Sequence, residues 1–216
     1  MDQQQIRMTA IEVRSARKVI AVDVEEFWQF VEHSAEEETH PQRRADWLEH
    51  RLSRIALDHI VDFQIHLDAA RHPIDTWDML GAANLIMDGL CSGDSFWYFQ
   101  PWLIGQGRRW CQHAAQDPDN LVDLPTVQAL AGRRPQQWSD ADWPHWEDLN
   151  AVASLAYDRR TGQEDGIDDA LRERGHRRPS DPQTAGRTWN TDSAAEIERR
   201  LPRLNRLFPR ERYLRP

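Results

Sequence analysis

The sequence is short of lysine and of net positive charge. Lys18 is its only lysine, so nearly all of the 27 basic residues are arginines, and 36 acidic residues bring the formal net charge to −9 at pH 7. Affinity for phosphate groups requires clustered positive charge. The charge balance therefore argues against general binding to nucleic acid or to anionic membranes.

Long apolar runs and cysteines are scarce as well. The sequence has no apolar run of about 18 residues that would form a transmembrane helix. The N-terminus has no apolar segment typical of a secretory signal. Cys91 and Cys111 are too few for a disulfide framework. These absences predict a cytoplasmic protein with two reduced thiols.

Tryptophan, in contrast, is abundant. The chain of 216 residues has ten tryptophans, against six phenylalanines and three tyrosines. Tryptophan is mostly a packing residue with one N–H donor to satisfy. The composition therefore favours a tryptophan-rich core, with an aromatic-lined ligand cavity as the alternative.

Apolar residues recur with a helical period along most of the chain. Ile60, Phe63 and Leu67 follow the i, i+3, i+7 spacing of one helix face. Asp23 and Glu26 have the spacing of a capping box, which predicts a helix from about residue 24 to His33. No strand-rich region and no internal repeat is found. The expected fold is all-α, a single compact multi-helix domain with a Trp-rich core.

Three segments differ from this pattern. Residues 1–22 are expected to form an N-terminal extension, either a short strand or a loose segment, and residues 23–216 the helical domain. Residues 161–190 are polar, charged and rich in turn formers, which predicts a long, lid-like loop. Ser193, with Glu196 three residues later, predicts the start of a final helical segment.

The block GLCSGDSFWYFQPWLIGQGRRW, residues 89–110, combines aromatic, small and capping residues. Ser92 or Asp94 is predicted to cap a helix here. Pro101 is expected to kink that helix or to begin a second one. The helix should then continue to Asp117.

No complete catalytic or metal-binding pattern is present. His59, Asp62 and His66 share one helix face, but no second helix supplies the remaining ligands, and a solvated face is the alternative. Ser92 lacks the surrounding glycines of a nucleophile elbow, and the GQG at 105–107 lacks the elements of a phosphate-binding loop. We therefore expect no metal and no cofactor, and whether the protein is an enzyme stays open.

A ligand site is expected where a helix begins. The caps at Ser92 and Asp94 would place backbone N–H groups and a carboxylate together at the N-terminal end of that helix. A second candidate is an acidic and aromatic pocket near Glu147, although a solvated helix over a tryptophan-rich core has the same pattern. The candidate ligand-binding residues are Ser92, Asp94, Trp102, Gln106, Asp119 and Glu147.

The same block resembles a bacterial family of unknown function, the DUF4240 domain family. The family pattern is similar to G-G-C-S-D-D-x-F-x-x-F-R-x-W-L-I-x-x-G followed by D-P-D-x-L, and the resemblance runs from about Val24 to Phe208. The matching positions are Gly89, Cys91, Ser92, Asp94, Phe96, Phe99, Trp102, Leu103, Ile104, Gly107, Pro118, Asp119 and Leu121.

The chain departs from the family pattern at two charged positions. Gly93 replaces one aspartate of the acidic pair, Asp94 being the other, and Gln100 replaces an arginine. An Asp–Arg pair that the family would place in this block is therefore absent. The resemblance supplies no reaction, and it implies an accessory or interaction role.

Two functions follow from these observations as expectations. The first is a non-catalytic binding or regulatory module that acts through a protein partner. The second is a small-molecule enzyme of specialised metabolism or detoxification, with a carboxylate such as Asp94, Asp119 or Glu147 as acid or base in a Trp-lined pocket. A small molecule is therefore the alternative to a protein as the partner.

Overall fold

The computed structural model describes residues 22–209, and helices dominate this part of the chain. The predicted all-α class is confirmed, since no strand is found among these residues and one isolated bridge joins Thr76 to Ala185. The predicted N-terminal extension or strand, residues 1–22, lies outside the described residues except for Val22, which is buried. The α-helices are α1 (Val24–Glu37), α2 (Pro41–Leu52), α3 (Leu57–Arg71), α4 (Trp77–Ile86), α5 (Gly93–Gly105), α6 (Arg108–Gln116), α7 (Pro125–Leu130), α8 (Val152–Thr161), α9 (Gly166–Glu173), α10 (Ala194–Arg200) and α11 (Pro202–Leu207).

Short 3₁₀ turns connect several of these helices. Proline is the first residue of two of them, at Pro118 and Pro135, and the second residue of another, at Pro73, because proline already has a suitable φ. The 3₁₀ turns are His72–Ile74, Pro118–Asp123, Pro135–Gln137, Asp140–Asp142 and Glu147–Asn150.

Side chains cap the helices where the sequence predicts it. Asp23 Oδ1 accepts a hydrogen bond from the backbone N–H of Glu26 at 2.9 Å, and the Glu26 carboxylate accepts one from the Asp23 N–H, so α1 has the predicted capping box. Helix α1 continues to Glu37, beyond the predicted end at His33. Ser92 Oγ accepts from the Ser95 N–H at 3.1 Å and begins α5.

The predicted single helix through residues 102–116 is wrong. Helix α5 runs through Pro101 and ends at Gly105, and α6 begins at Arg108. Gly107 between them has φ +95°, a conformation that L side chains rarely adopt. Glu32 of α1 stabilises the new start, since its Oε1 accepts from the Arg108 N–H at 2.9 Å.

The predicted loop over residues 161–190 contains a helix. Helix α9 spans Gly166–Glu173 and buries Ile167 and Leu171 completely against its neighbours. These two apolar residues are four apart, so they lie on one helix face. Residues 174–193 continue as an irregular segment across the domain.

The core is built from large apolar side chains, to which tryptophan contributes less than the composition predicts. Phe27, Phe63, Phe96 and Phe99 are among its largest fully buried members. Such residues contribute about 1.5–3 kcal/mol each when they are removed from water. Four tryptophans are buried: Trp28, Trp102, Trp138 and Trp146.

None of the helices among residues 22–209 is long and apolar enough to cross a membrane.

Candidate functional site

A polar cleft of about 740 Å³ opens on one side of the domain. Helices α3, α5 and α8 form its floor and sides, and α9 with the segment that follows it forms the outer wall. We call it the Arg71 cleft. Its lining residues are Gln64, Asp68, Arg71, Trp97, Tyr98, Glu147, Asn150, Ala151, Ser154, Leu155, Asp158, Asp165, Asp168, Leu171, Arg172, His176, Arg177, Arg178, Pro179 and Ser180.

Arg71, the last residue of α3, lies in the floor of the cleft and is 3% exposed. Its guanidinium carbon lies 3.6 Å from the ring centroid of Trp97, so the cation stacks on the indole. Its Nη1 donates to Gln100 Oε1 at 3.3 Å, and its Nη2 donates to Asn150 Oδ1 at 2.5 Å. Burial lowers the pKa of Arg71 to about 10, so the side chain is charged at neutral pH.

Asp68, one helical turn before Arg71, is the buried carboxylate of the cleft. Its Oδ2 lies 2.7 Å from His176 Nε2, and its Oδ1 accepts from Gln64 Nε2 at 3.0 Å. Burial raises the pKa of Asp68 above its usual value, although the hydrogen bond from His176 and the charge of Arg71 act in the opposite direction. The pair thus joins α3 to the outer wall with two titratable groups.

Ion pairs hold the outer wall against the helices behind it. Arg174, directly after α9, pairs with both Asp58 and Asp62 of α3. Arg178 donates to Ser154 Oγ of α8 at 2.5 Å and pairs with Asp168 of α9 at 3.2 Å. The wall therefore depends on side chains that are far apart in sequence.

The rim of the cleft is aromatic and acidic. Trp97 and Tyr98 of α5 are partly exposed, and Glu147 is exposed. A hydrogen bond from the Tyr98 hydroxyl to Glu147 raises the pKa of Tyr98, because the neighbouring carboxylate disfavours the phenolate. The rim thus offers an indole surface beside a carboxylate.

Buried polar atoms without a hydrogen-bond partner concentrate at this cleft. The described residues contain eight such side-chain atoms. Five of them belong to residues that line the cleft or, for Gln100, that bond to Arg71. The other three are the indole nitrogens of Trp138, Trp146 and Trp189. Most buried polar groups in folded proteins do have a partner. The five atoms are Gln64 Oε1, Arg71 Nε, Gln100 Nε2, Asn150 Nδ2 and Asp158 Oδ1.

Of the six candidate residues from the sequence, Glu147 lines the cleft. Ser92 caps α5, and Asp94 is exposed in its first turn. Trp102 packs on Phe99 in the core with ring centroids 5.2 Å apart. Gln106 Nε2 donates to the carbonyl of Trp102, and Gln106 Oε1 accepts from the Thr126 hydroxyl.

Asp119, the remaining candidate, is 3% exposed and stabilises the C-terminal part of the chain. Its carboxylate accepts from the backbone N–H groups of Arg203, at 2.9 Å, and Leu204, at 2.8 Å. Its observed contacts are therefore those of a helix cap for α11.

The residues that the sequence offers for a metal site make other contacts in the structure. Asp62 pairs with Arg174 and accepts from the Val22 N–H, and His66 Nε2 lies 2.9 Å from the Val22 carbonyl oxygen. Among residues 22–209, no group of three or more His, Cys, Asp or Glu side chains is arranged to hold a metal ion.

The sequence does not identify Asp68, Arg71, Trp97 or His176. Gln64, Asp68 and Arg71 follow one another at helical spacing, so the signal available in the sequence is a polar stripe on an otherwise apolar helix. Nothing local in the sequence connects His176 to this stripe, since the two lie more than 100 residues apart.

Comparison with known proteins supports the family resemblance. The family model described as "Protein of unknown function (DUF4240)" matches residues 22–159, which is more than half of the chain. No curated protein and no solved structure matched it. The match covers the floor of the Arg71 cleft but ends before the outer wall at 165–180. On the strength of this match, the chain belongs to the DUF4240 family.

Proposed function

We propose that the protein is a non-catalytic binding module that takes up a small polar molecule in the Arg71 cleft. The observation that carries this proposal is the group of unpartnered polar atoms in and beneath the floor of the cleft. A buried donor or acceptor without a partner costs about 1–3 kcal/mol. Where several buried donors and acceptors without a partner lie together, a ligand can rearrange the side chains and complete their hydrogen bonds.

The size and lining of the cleft fit a small polar ligand. Its volume of about 740 Å³ lies within the range of about 300–1,000 Å³ that is usual for small-molecule sites. Trp97 offers a flat apolar surface, and Arg71 and Asp68 offer charge in the floor. Small-molecule sites are usually hydrophobic with a few fixed polar groups, and the lining of this cleft is more charged than that, so the ligand that it fits is polar.

The surface gives less support for a large protein interface. In the described part of the chain, the exposed large apolar side chains are Val24 on α1, Leu90 in the loop between α4 and α5, and Leu155 on α8. Stable protein interfaces are usually centred on a contiguous apolar patch. Action through a protein partner therefore stays a prediction from the sequence, and a small ligand is the proposal.

A thermal-shift screen with a collection of polar metabolites tests the proposal. A ligand at about 100 times its Kd stabilises the native state by about 2.7 kcal/mol, which corresponds to a rise in Tm of about 5–10 °C. Trp97→Ala should abolish the shift. Trp110→Ala is the matched control, because Trp110 is also a partly exposed indole under an arginine, Arg109 at 5.0 Å.

The proposal fails if no compound stabilises the wild-type protein. It also fails if the Trp97→Ala variant responds to every active compound as strongly as the Trp110→Ala variant does.

A second candidate function is acid–base catalysis by Asp68 and His176. The observation in its favour is a buried carboxylate with a raised pKa, 2.7 Å from an imidazole nitrogen at the surface of the cleft. Pairs of this kind transfer protons in many active sites. The compounds selected by the thermal-shift screen should then be converted to a product detectable by NMR. His176→Gln should stop the conversion and leave binding intact, whereas binding without conversion by the wild-type protein contradicts this second function.

A further inference from the structure

Arg71 differs from an ordinary structural arginine in its partners. Both of its hydrogen-bond acceptors are neutral amide oxygens, from Gln100 and Asn150. Among the described residues no carboxylate oxygen lies within 4.0 Å of its nitrogens, although Asp68 and Asp75 act on it at longer range. A buried charge without a direct counter-charge is costly.

Arg44 provides the comparison within the same molecule. It also lies over an indole, 4.3 Å from the centroid of Trp146, and burial also lowers its pKa to about 10. However, its donors reach the backbone carbonyls of Val31 and Gly105, so Arg44 joins two segments of the core. Arg71 has no backbone acceptor among the described residues, and its Nε–H has no acceptor at all there.

We propose that Arg71 binds the carboxylate of the ligand, with a flat apolar part of the same molecule against Trp97. This inference rests on the proposed function and specifies the ligand class for the same cleft. A guanidinium matches a carboxylate through two parallel N–H···O hydrogen bonds. The Nε–H of Arg71 is buried and has no acceptor among the described residues, and each η nitrogen has one bond to an amide oxygen and a second N–H left, so donors for such a pair remain.

The charges around Arg71 are mixed. Three more arginines, Arg172, Arg177 and Arg178, line the outer wall of the cleft, together with five acids, Asp68, Glu147, Asp158, Asp165 and Asp168. Arg71 is the buried cation of the floor and matches one negative charge, whereas a dianion would also need an arginine of the outer wall. Beside Trp97, Ala151 and Leu155 supply apolar contacts for the body of the ligand.

Three probes of nearly the same shape test the charge preference: benzoate, benzamide and benzamidinium. Each is titrated into the full-length protein, and binding is followed by the ¹⁵N–¹H resonance of the Trp97 indole, assigned with Trp97→Phe. Benzoate should bind at least about tenfold more tightly than benzamide, because a charge-assisted pair replaces a neutral hydrogen bond. Benzamidinium and inorganic phosphate should bind more weakly than benzoate.

Arg71→Lys keeps the charge but removes the planar fork, so it should weaken benzoate binding about tenfold and leave benzamide binding nearly unchanged. Arg44→Lys is the matched control and should keep the wild-type affinity for benzoate. If Arg71→Lys fails to fold, the ratio of benzoate to benzamide affinity in the wild-type protein still decides the question.

The outcomes separate this inference from the proposed function. Equal or tighter binding of benzamide or benzamidinium at the Trp97 resonance overturns the carboxylate assignment while the cleft remains a small-molecule site. Tighter binding of inorganic phosphate overturns it in favour of a dianion. Failure of all four probes to bind also overturns it, and the metabolite screen then decides on the proposed function separately.

Discussion

At the residue scale, two glycines lie directly against indole rings. A Cβ atom added at Gly105 would meet the ring of Trp146 at 2.6 Å, and one added at Gly81 would meet the ring of Trp189 at 2.2 Å. Real Cβ atoms do not approach that closely, so a large ring would have to move. Because glycine has no side chain, Trp146 and Trp189 can pack directly against the backbone at these two positions.

Gly105→Ala and Gly81→Ala should each destabilise the protein by about 1–3 kcal/mol in urea unfolding, because overpacking displaces the rings. Gly93→Ala is the control, since a Cβ there meets nothing within 4 Å. That variant should be neutral or slightly more stable, by about 0.5 kcal/mol. Equal free energies of unfolding for the three variants would contradict the observed packing.

The two thiols should be unreactive in the folded protein. Burial raises the pKa of Cys91 and of Cys111 to about 12, so only about one thiol in 10⁴ is ionised at pH 8. Iodoacetamide should therefore label both cysteines far more slowly in the native protein than in 6–8 M urea, as measured by mass spectrometry. Native-state labelling of Cys111 at the rate of the denatured chain would refute this expectation.

At the scale of elements, the sequence predicts helix starts better than helix ends and breaks. Asp23 and Ser92 act as caps through side-chain bonds to residues three positions away, so the signal is local. The break at Gly107 was missed because it depends on Glu32, which lies on α1. Pro101 is the more obvious signal of a helix break in the sequence, yet α5 continues through it. The carbonyl of Tyr98, three residues before Pro101, accepts a hydrogen bond from the distant Trp146 N–H at 2.9 Å.

Helix α9 is also not predicted from the local sequence, because distant elements stabilise it. Its eight residues include two that are fully buried, Ile167 and Leu171, and an isolated helix of this length is marginal in water. Packing on α3 and α8, together with the ion pairs of Arg174, stabilises it. A polar sequence rich in turn formers does not reveal such tertiary support.

Arg174→Gln should loosen the outer wall of the cleft. The substitution removes the pairs with Asp58 and Asp62, of which the Asp62 side chain is 13% exposed. Amide hydrogen exchange over residues 166–178 should become faster, with a loss of about 0.5–1 kcal/mol in local stability. The control is Arg172→Gln, because Arg172 pairs with the exposed Asp169 on the same helix. Equal exchange rates in the two variants would show that Arg174 does not hold the wall.

At the scale of the whole molecule, the domain extends beyond the family match. Residues after 159 contribute buried core side chains, and Asp119 from within the match caps α11 near the C-terminal end. Those core side chains are Ile167, Leu171, Ile197, Leu201, Leu204 and Phe208.

A chain that stops at residue 159 should therefore fail to fold stably. It would leave apolar surface of the core exposed and the buried carboxylate of Asp119 without its backbone donors. Circular dichroism should show a broad, weakly cooperative thermal transition, in contrast to a sharp one for the full-length chain. A sharp transition at the full-length Tm would contradict the assignment of these residues to the core.

The candidate site could be predicted from the sequence in small part. Local composition indicates Glu147, whereas the contacts of Arg71 with Asn150 and of Asp68 with His176 join residues that are 79 and 108 positions apart. Such pairs arise from the packing of α3 against α5, α8 and the segment after α9. The arrangement of the cleft residues therefore depends on the assembled fold and cannot be inferred from any single segment.

A crystal structure of the protein soaked with the most stabilising compound from the metabolite screen tests most directly whether the unpartnered polar floor of the Arg71 cleft is a ligand site. We expect electron density for the compound against Trp97, with a polar atom of the compound within hydrogen-bond distance of the Arg71 guanidinium. Density for the compound elsewhere on the surface, with the cleft filled only by solvent, would contradict it.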